Sequence, residues 1–192
     1  MSDTQAVNWE ERYQAGTTRW ERGVVNPAFL AWRASGALSP CRILVPGAGR
    51  SPEPAELAGA GFDVTVLDVA PSAAAFQRER LGDAGTVVES DLFAWTPNTP
   101  FDAIYDQTCL CALPPELLPQ YEALLARWVR PSGSLFALFM QTGKEGGPPF
   151  DCPISRMREL FARMRWTWPA NLPPTISHNT GVEEQPAVLH RC

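Results

Sequence analysis

Between residues 41 and 140, short β-branched or apolar runs alternate with helix-forming stretches, and this alternation constrains the fold more than any other feature. Cys41-Arg42-Ile43-Leu44-Val45 stops at Pro46-Gly47 and reads as a buried strand. Glu53 to Ala60 is rich in Ala, Glu and Leu and ends at Gly61, which predicts a short helix. Phe62-Asp63-Val64-Thr65-Val66-Leu67-Asp68 predicts a second strand. Pro71 to Leu81 predicts a helix, with its proline in the first turn, where a missing N–H costs nothing. Thr86-Val87-Val88 leads a third strand toward Asp91, and Phe101-Asp102-Ala103-Ile104-Tyr105 is a fourth. Pro115 to Val129 carries Leu117, Leu118, Tyr121, Leu124, Leu125 and Trp128 at helical spacing. Ser134 to Met140 is apolar on both faces, as an interior strand should be.

Such alternation predicts an α/β fold, a doubly wound and mostly parallel sheet with right-handed crossovers. Ligands then bind beyond the carboxyl ends of the strands. The length of 192 residues fits a single domain over residues 1–192. Its 19 prolines fall in connections such as Leu113-Pro114-Pro115 and Leu172-Pro173-Pro174, so they punctuate elements rather than divide domains. A net charge of −5 lacks the basic balance that nucleic acid or an anionic membrane surface requires. No apolar run approaches the ~20 residues that span a bilayer. Residues Met1 to Gln5 are polar and contain no signal-peptide core, so a cytoplasmic protein is expected; a monomer is expected because the sequence leaves no long uncommitted apolar face. The five cysteines form no disulfide framework, and the Cys109-x-Cys111 pair has no histidine near it in sequence. No metal site is expected. His178 and His190 are placed by no motif.

The first strand ends in Pro46-Gly47-Ala48-Gly49-Arg50-Ser51-Pro52-Glu53. Glycines there let the chain turn sharply and let a ligand approach the backbone. Asp68 lies 21 positions after Gly47 at the end of the second strand, where an acid suits two ribose hydroxyls. Asp91-Leu92 follows the third strand, a polar partner beside an apolar platform for a base. The dinucleotide fingerprint fails, because its third glycine would fall on Pro52, and Glu53 would repel a pyrophosphate. A nucleoside without phosphate fits better, and S-adenosylmethionine is one. The alternative is that the glycines only make a turn and the aspartates only cap helices.

Other stretches join this one. Trp9-Glu10-Glu11-Arg12-Tyr13-Gln14-Ala15-Gly16-Thr17-Thr18-Arg19-Trp20 precedes any strand, its aromatics in polar company and too exposed for an ordinary core. Tyr105-Asp106-Gln107-Thr108-Cys109-Leu110-Cys111-Ala112-Leu113 ends the fourth strand, and Glu145-Gly146-Gly147-Pro148-Pro149-Phe150 follows the fifth. Over residues 8–190 the chain resembles the thiopurine S-methyltransferase family of class I S-adenosylmethionine-dependent methyltransferases. The segment after strand four is most similar to the plant-type thiol, thiocyanate and halide branch. The resemblance implies a Rossmann-like, mostly parallel seven-stranded sheet with an N-terminal lid over residues 1–25. It implies S-adenosylmethionine as cofactor, held by Trp9, Tyr13, Trp20, Gly47, Asp68, Asp91, Leu92 and Gln107. At Gln107 the plant-type branch has tyrosine and the animal enzymes have arginine.

Methyl transfer from a sulfonium is an in-line displacement, so the protein must align the partners and exclude water. An aromatic lid would serve the sulfonium's charge; the plainer reading of Trp9 and Trp20 is a staple that fastens the tail. The small-molecule acceptor is expected between the lid, the end of strand four and the loop Gly143 to Asp151, near Arg19, Gln107, Cys111 and Phe150. None of these is a general base, so no catalytic side chain is predicted. The expected reaction is methylation of a thiol sulfur. Halide, thiocyanate, a selenium or tellurium oxyanion, a small O or N acceptor, and a non-catalytic cofactor-binding protein are the alternatives.

Overall fold

A central sheet in the order β3-β2-β1-β4-β5-β8-β6 organises the computed structural model, which describes residues 7–192. Residues 1–6 of the expected lid lie outside the described residues. The strands are β1 (Arg42–Pro46), β2 (Asp63–Asp68), β3 (Gly85–Glu89), β4 (Phe101–Asp106), β5 (Val129–Gln141), β6 (Trp166–Thr167), β7 (Ile176–Ser177) and β8 (Glu183–Arg191). The helices are α1 (Trp9–Gln14), α2 (Pro27–Ala34), α3 (Glu53–Gly59), α4 (Pro71–Leu81), α5 (Leu118–Trp128) and α6 (Ile154–Leu160). Strands β1 to β5 pair in parallel, and β8 runs antiparallel to β5. The expected seven strands lie on this path. An eighth, β7, pairs with one end of β8 while β6 pairs with the other.

Period-two alternation puts both faces to use. Leu44, Leu67, Ile104, Leu135 and Phe139 face one buried cluster with α5 and α6. Ile43, Val66, Tyr105, Phe136 and Leu138 face the other, with Phe29 and Trp32 of α2 and Leu57 of α3. Fully burying a side chain of this size contributes about 1.5–3 kcal/mol, so the interior strands anchor the sheet whatever the loops do.

Two boundaries differ from the sequence expectation. The predicted helix at Pro115 begins as a 3-10 turn over Pro115–Leu117, and α5 starts only at Leu118. Pro119 explains the shift: it is tolerated in the first turn of a helix but not one turn in, where the helix needs an N–H that proline lacks. Strand β5 also begins at Val129, with no loop after α5. Val129 pairs with Phe101, the register then shifts, and pairing resumes at Ala103 and Ser134. No described helix is long and apolar enough to cross a membrane.

Candidate active site

β1 and β2 end level with each other, Pro46 opposite Leu67, so the glycine turn and Asp68 emerge side by side. Gly47 and Gly49 hold φ of +55° and +54°, which L side chains rarely adopt. A Cβ at Gly47 would stand 2.9 Å from Cys109 Sγ, and one at Gly49 would stand 2.5 Å from the Tyr13 hydroxyl. The turn is therefore pinched between the segment after β4 and the N-terminal segment. Asp68 is buried; its Oδ2 accepts from the Gly49 amide at 2.8 Å and its Oδ1 from the Ala70 amide at 2.9 Å. Burial pushes the Asp68 carboxyl up, against the pull of those amides. The Val69 amide also bears on the carboxyl, so three backbone donors share its roughly four acceptor sites.

Beside Asp68, Val69 is 49% exposed, an apolar side chain left open at the strand end. Sequence reasoning missed it; the available signal was a β-branched residue placed just past the last residue of a buried strand. The Ser90 amide donates to the Asp68 carbonyl at 2.9 Å and draws the end of β3 alongside. Asp91 is exposed, with Oδ1 accepting from the Phe93 amide at 2.7 Å, and Leu92 is half-buried.

The N-terminal segment closes on this region. Asn8 caps α1 through the Glu11 amide, and Glu10 reaches across to α4, accepting from the Ser72 amide at 2.8 Å and the Ser72 hydroxyl at 2.6 Å. Those contacts hold the Glu10 carboxyl below its ordinary value. Trp20 meets Trp9 edge-on at 5.4 Å and Tyr13 at 5.7 Å. Tyr13 corrects the sequence reading of three exposed aromatics: it is buried against Ala70 and Ala73, under the Arg50 guanidinium at 5.0 Å. Burial drives the Tyr13 hydroxyl above its ordinary range. Trp9 and Trp20 remain half-buried, and both pack on the same cluster.

A narrow cleft of about 30 Å³ opens between residues 20–24, the glycine turn and the end of β4, lined in part by Trp20, Arg22, Gly47, Glu53, Gln107 and Thr108. Gln107 takes the Tyr105 hydroxyl on its carbonyl oxygen at 2.8 Å, which leaves the amide N–H end for a ligand. Of the other expected acceptor residues, none lines this cleft. Arg19 is exposed on the N-terminal segment. Cys111 is buried in the core on the α5 side, its thiol bonded to the Thr108 carbonyl at 3.3 Å and pushed far up by burial. Phe150 is half-buried, and its amide donates to the Cys111 carbonyl at 2.7 Å, which ties the loop Gly143 to Asp151 to the segment after β4. Asp106 serves that same segment, accepting from the Tyr121 hydroxyl at 2.8 Å and from the Cys109 and Leu110 amides.

Sequence reasoning also missed a polar network under the cleft. Glu53, Glu184 and Asn26 are all fully buried. Glu53 Oε1 accepts from the Asn26 amide at 2.9 Å, while Glu184 Oε2 accepts from Asn26 Nδ2 at 2.9 Å and Arg22 Nη1 at 3.2 Å. The cap of α2 at Asn26-Pro27 is legible in one-dimensional sequence, but a partner 158 positions away is not. His178 lies behind this network; burial lowers its pKa, and its Nδ1 stands 2.7 Å from the Thr180 hydroxyl. Asn179 beside it donates to the Glu21 carbonyl at 2.7 Å, fastening the N-terminal segment to the β7–β8 turn. Among the described residues no group of His, Cys, Asp and Glu is placed to hold a metal ion.

Comparison with known proteins agrees with this geometry. The solved structure of magnesium protoporphyrin IX methyltransferase from Synechocystis, with bound S-adenosylmethionine, superposes with a TM-score of 0.74 at 17% identity, covering 96% of this chain and 95% of that one. Thiocyanate methyltransferase 1 of Brassica oleracea is 31% identical over 159 residues, 80% of this chain and 70% of that protein. Probable thiol methyltransferase 2 of Arabidopsis thaliana is 28% identical over 167 residues, 84% of this chain and 74% of that protein. A thiopurine S-methyltransferase of Legionella pneumophila is 28% identical over 163 residues, 74% of each chain. The thiopurine S-methyltransferase family model matches residues 4–171. With its parallel sheet, glycine turn and acid-tipped β2, this chain belongs to the thiopurine S-methyltransferase family of S-adenosylmethionine-dependent methyltransferases.

Proposed function

We propose that the protein methylates the sulfur of a small thiol. The observation that carries the reading is the cleft itself: a restricted space at the ends of β1 and β4, walled by Trp20 and floored by the neutral Gln107. Relatives named as thiocyanate and thiol methyltransferases support it. The residues fit S-adenosylmethionine, since two left-handed glycines let a ligand reach the main chain and the Asp68 carboxyl stands beside them with acceptor capacity for a hydroxyl. Bound there, the cofactor supplies a methyl group already activated by its sulfonium. In this reading Asp68 holds the ribose, Val69 and Leu92 flank the adenine, and Asp91 meets its polar edge. Trp9, Tyr13 and Trp20 close the N-terminal segment over the site, and the face of Trp20 favours a cationic sulfur by about 0.5–2 kcal/mol. Gln107 touches both cofactor and acceptor, and Phe150 braces the segment after β4 through the Cys111 carbonyl.

Alignment and water exclusion, rather than substrate activation, are then the protein's main contribution. The test is incubation with labelled S-adenosylmethionine and a panel of small thiols, hydrosulfide, thiocyanate, iodide and selenite. The expected result is S-adenosylhomocysteine formation fastest with a thiol. Binding of S-adenosylhomocysteine without turnover on any acceptor would replace the reading with that of a non-catalytic cofactor-binding protein.

A further inference from the structure

One ionisable group at the cleft has no task in the reading above. Glu53, the first residue of α3, lines the cleft while being fully buried. Its Oε1 takes the Asn26 amide, and its Oε2 has no hydrogen-bond partner among the described residues. Glu184 on β8 shows the same pattern: Oε2 is bonded to Asn26 and Arg22, and Oε1 has no partner among the described residues. One asparagine thus bridges two buried carboxyls, and one guanidinium serves both. As a device for stability this arrangement is poor, because well-packed apolar residues usually do as well as a buried ionic cluster. A buried oxygen left without a partner costs more than it returns.

Its place in the sheet gives the cluster a direction. Glu53 stands at the start of the helix after β1, and its network runs to Glu184, which pairs with Met140 of β5. It therefore lies on the β4–β5–β8 side of the glycine turn, away from Asp68 and β3, and so away from the proposed nucleoside side. The groups that bear on Glu53 are Arg22 from the N-terminal segment, Glu184 from β8, Tyr105 from β4 and Ser51 from the turn. The Asn26 amide, Ser51 and Arg22 favour its charge, whereas Glu53 and Glu184 disfavour each other's. Burial is the largest influence and raises the proton affinity of both carboxyls.

We propose that Glu53 is a catalytic residue, whose Oε2 accepts the proton of a neutral thiol as the thiol sulfur attacks the methyl group. The proposal rests on the reading of the protein as a thiol methyltransferase. An ordinary thiol has a pKa of about 8.5 and is only a few per cent ionised at pH 7, so a proton acceptor at the site widens the usable fraction. The S–H bond breaks, its electron pair forms the new S–CH3 bond, and its proton passes to Glu53. The bond from methyl to sulfonium breaks, its pair staying on the leaving sulfur to give neutral S-adenosylhomocysteine. Glu53 returns the proton to water after the products leave. The same negative carboxyl disfavours anionic acceptors, which need no proton removed.

Glu53→Gln separates the two effects, since a glutamine oxygen still accepts from the Asn26 amide. The comparison is kcat/KM for a small thiol and for iodide, each with S-adenosylhomocysteine affinity measured by calorimetry. The expected result is a fall of about a hundredfold or more with the thiol, in the range of general-base contributions. Iodide turnover is expected to rise or hold, with S-adenosylhomocysteine affinity within a few-fold. Equal losses on thiol and iodide, or a large loss of S-adenosylhomocysteine affinity, would overturn the proposal in favour of a carboxyl that holds the cofactor or the fold. Wild-type pH profiles provide a second measurement that needs no variant. Thiol kcat/KM should persist well below the pH set by the thiol's own ionisation, whereas iodide turnover should improve on acidification; a thiol profile that follows thiol ionisation alone sinks the assignment. A wild-type protein that turns over iodide but no thiol overturns the thiol reading and the proposal together. Turnover of thiols by Glu53→Gln at the wild-type rate overturns the proposal alone.

Discussion

Asp68 and Glu53 show how differently two buried acids are legible. Asp68 is announced by its position, the last residue of an apolar strand level with a glycine turn, where a carboxyl can serve backbone amides and a ligand alike. Its bonds to the Gly49 and Ala70 amides also give it a structural duty, so Asp68→Asn is a cleaner probe than alanine. Charge-assisted hydrogen bonds contribute about 1.5–3 kcal/mol, and the substitution should weaken S-adenosylhomocysteine roughly tenfold to a hundredfold. Calorimetry on folded Asp68→Asn with unchanged affinity would remove Asp68 from the site. Glu53 carries no such sign in one dimension: an acid at the start of a helix is ordinary, and only the fold shows that it is buried with an unpartnered oxygen. Gln107 is intermediate. Its place was legible, but its bond from the Tyr105 hydroxyl, which fixes which end of the amide is free, was not. Gln107→Tyr should shift the ratio of kcat/KM values among thiols several-fold while leaving S-adenosylhomocysteine affinity within a few-fold. Loss of cofactor binding with an unaltered acceptor ranking would assign Gln107 to the cofactor alone.

At the scale of elements, the N-terminal segment is the part whose behaviour most needs a measurement. α1 has only six residues, so it depends on docking rather than on its own helical stability. Its fastenings to α4 are the paired bonds from Glu10 to Ser72 and the Tyr13 ring on Ala70 and Ala73. Few and peripheral contacts place a segment at the low-stability end of a structure. Hydrogen exchange of residues 8–22 should slow at least several-fold when S-adenosylhomocysteine is added. Equal protection with and without it would mean a fixed staple. Glu10→Ala should speed exchange in residues 9–14 while leaving β1 and β4 protected. Elsewhere the elements follow local rules closely: α4 begins at Pro71 and ends at Leu81, as its proline and Gly82 require. Where the expectation slipped, at α5 and β5, a second proline and a register shift against β4 decided the boundary.

Across the whole molecule, buried acids set the pH dependence of stability. Burial raises the carboxyls of Glu53, Asp68, Asp106 and Glu184, with Asp106 reaching about 6 against an ordinary 3.8. An acid whose pKa is higher in the folded state binds more protons folded than unfolded, so stability falls as pH rises from about 4 through 6. A tenfold change in proton affinity corresponds to about 1.4 kcal/mol, so the rise at Asp106 amounts to about 3 kcal/mol. Asn at this position retains an acceptor for the Cys109 and Leu110 amides and a donor for the Tyr121 oxygen. The unfolding free energy of wild type relative to Asp106→Asn should therefore drop by roughly 2–3 kcal/mol between pH 4 and pH 8. Urea unfolding of both proteins at the two pH values measures it, and a difference that does not change with pH would show that Asp106 stays ionised throughout.

Period-two apolar runs, first-turn prolines and glycines after strand ends act between near neighbours, so the sequence by itself determined β1 to β5, the helices α3, α4 and α5, their alternation and hence the parallel sheet. It likewise determined that Gly47, Asp68 and Gln107 stand at strand ends, because in such a sheet strand ends face one side. Contacts between distant residues were decided only by tertiary structure. Burial of Tyr13 needed α4 beneath it, and removal of Cys111 from the cleft needed the α5 core behind it. The buried pair Glu53 and Glu184 needed the antiparallel return of β8, which brings a residue near the end of the chain under a turn near its beginning. A carboxyl's proton affinity depends on how much water and which charges surround it, and those surroundings exist only once the chain has closed on itself.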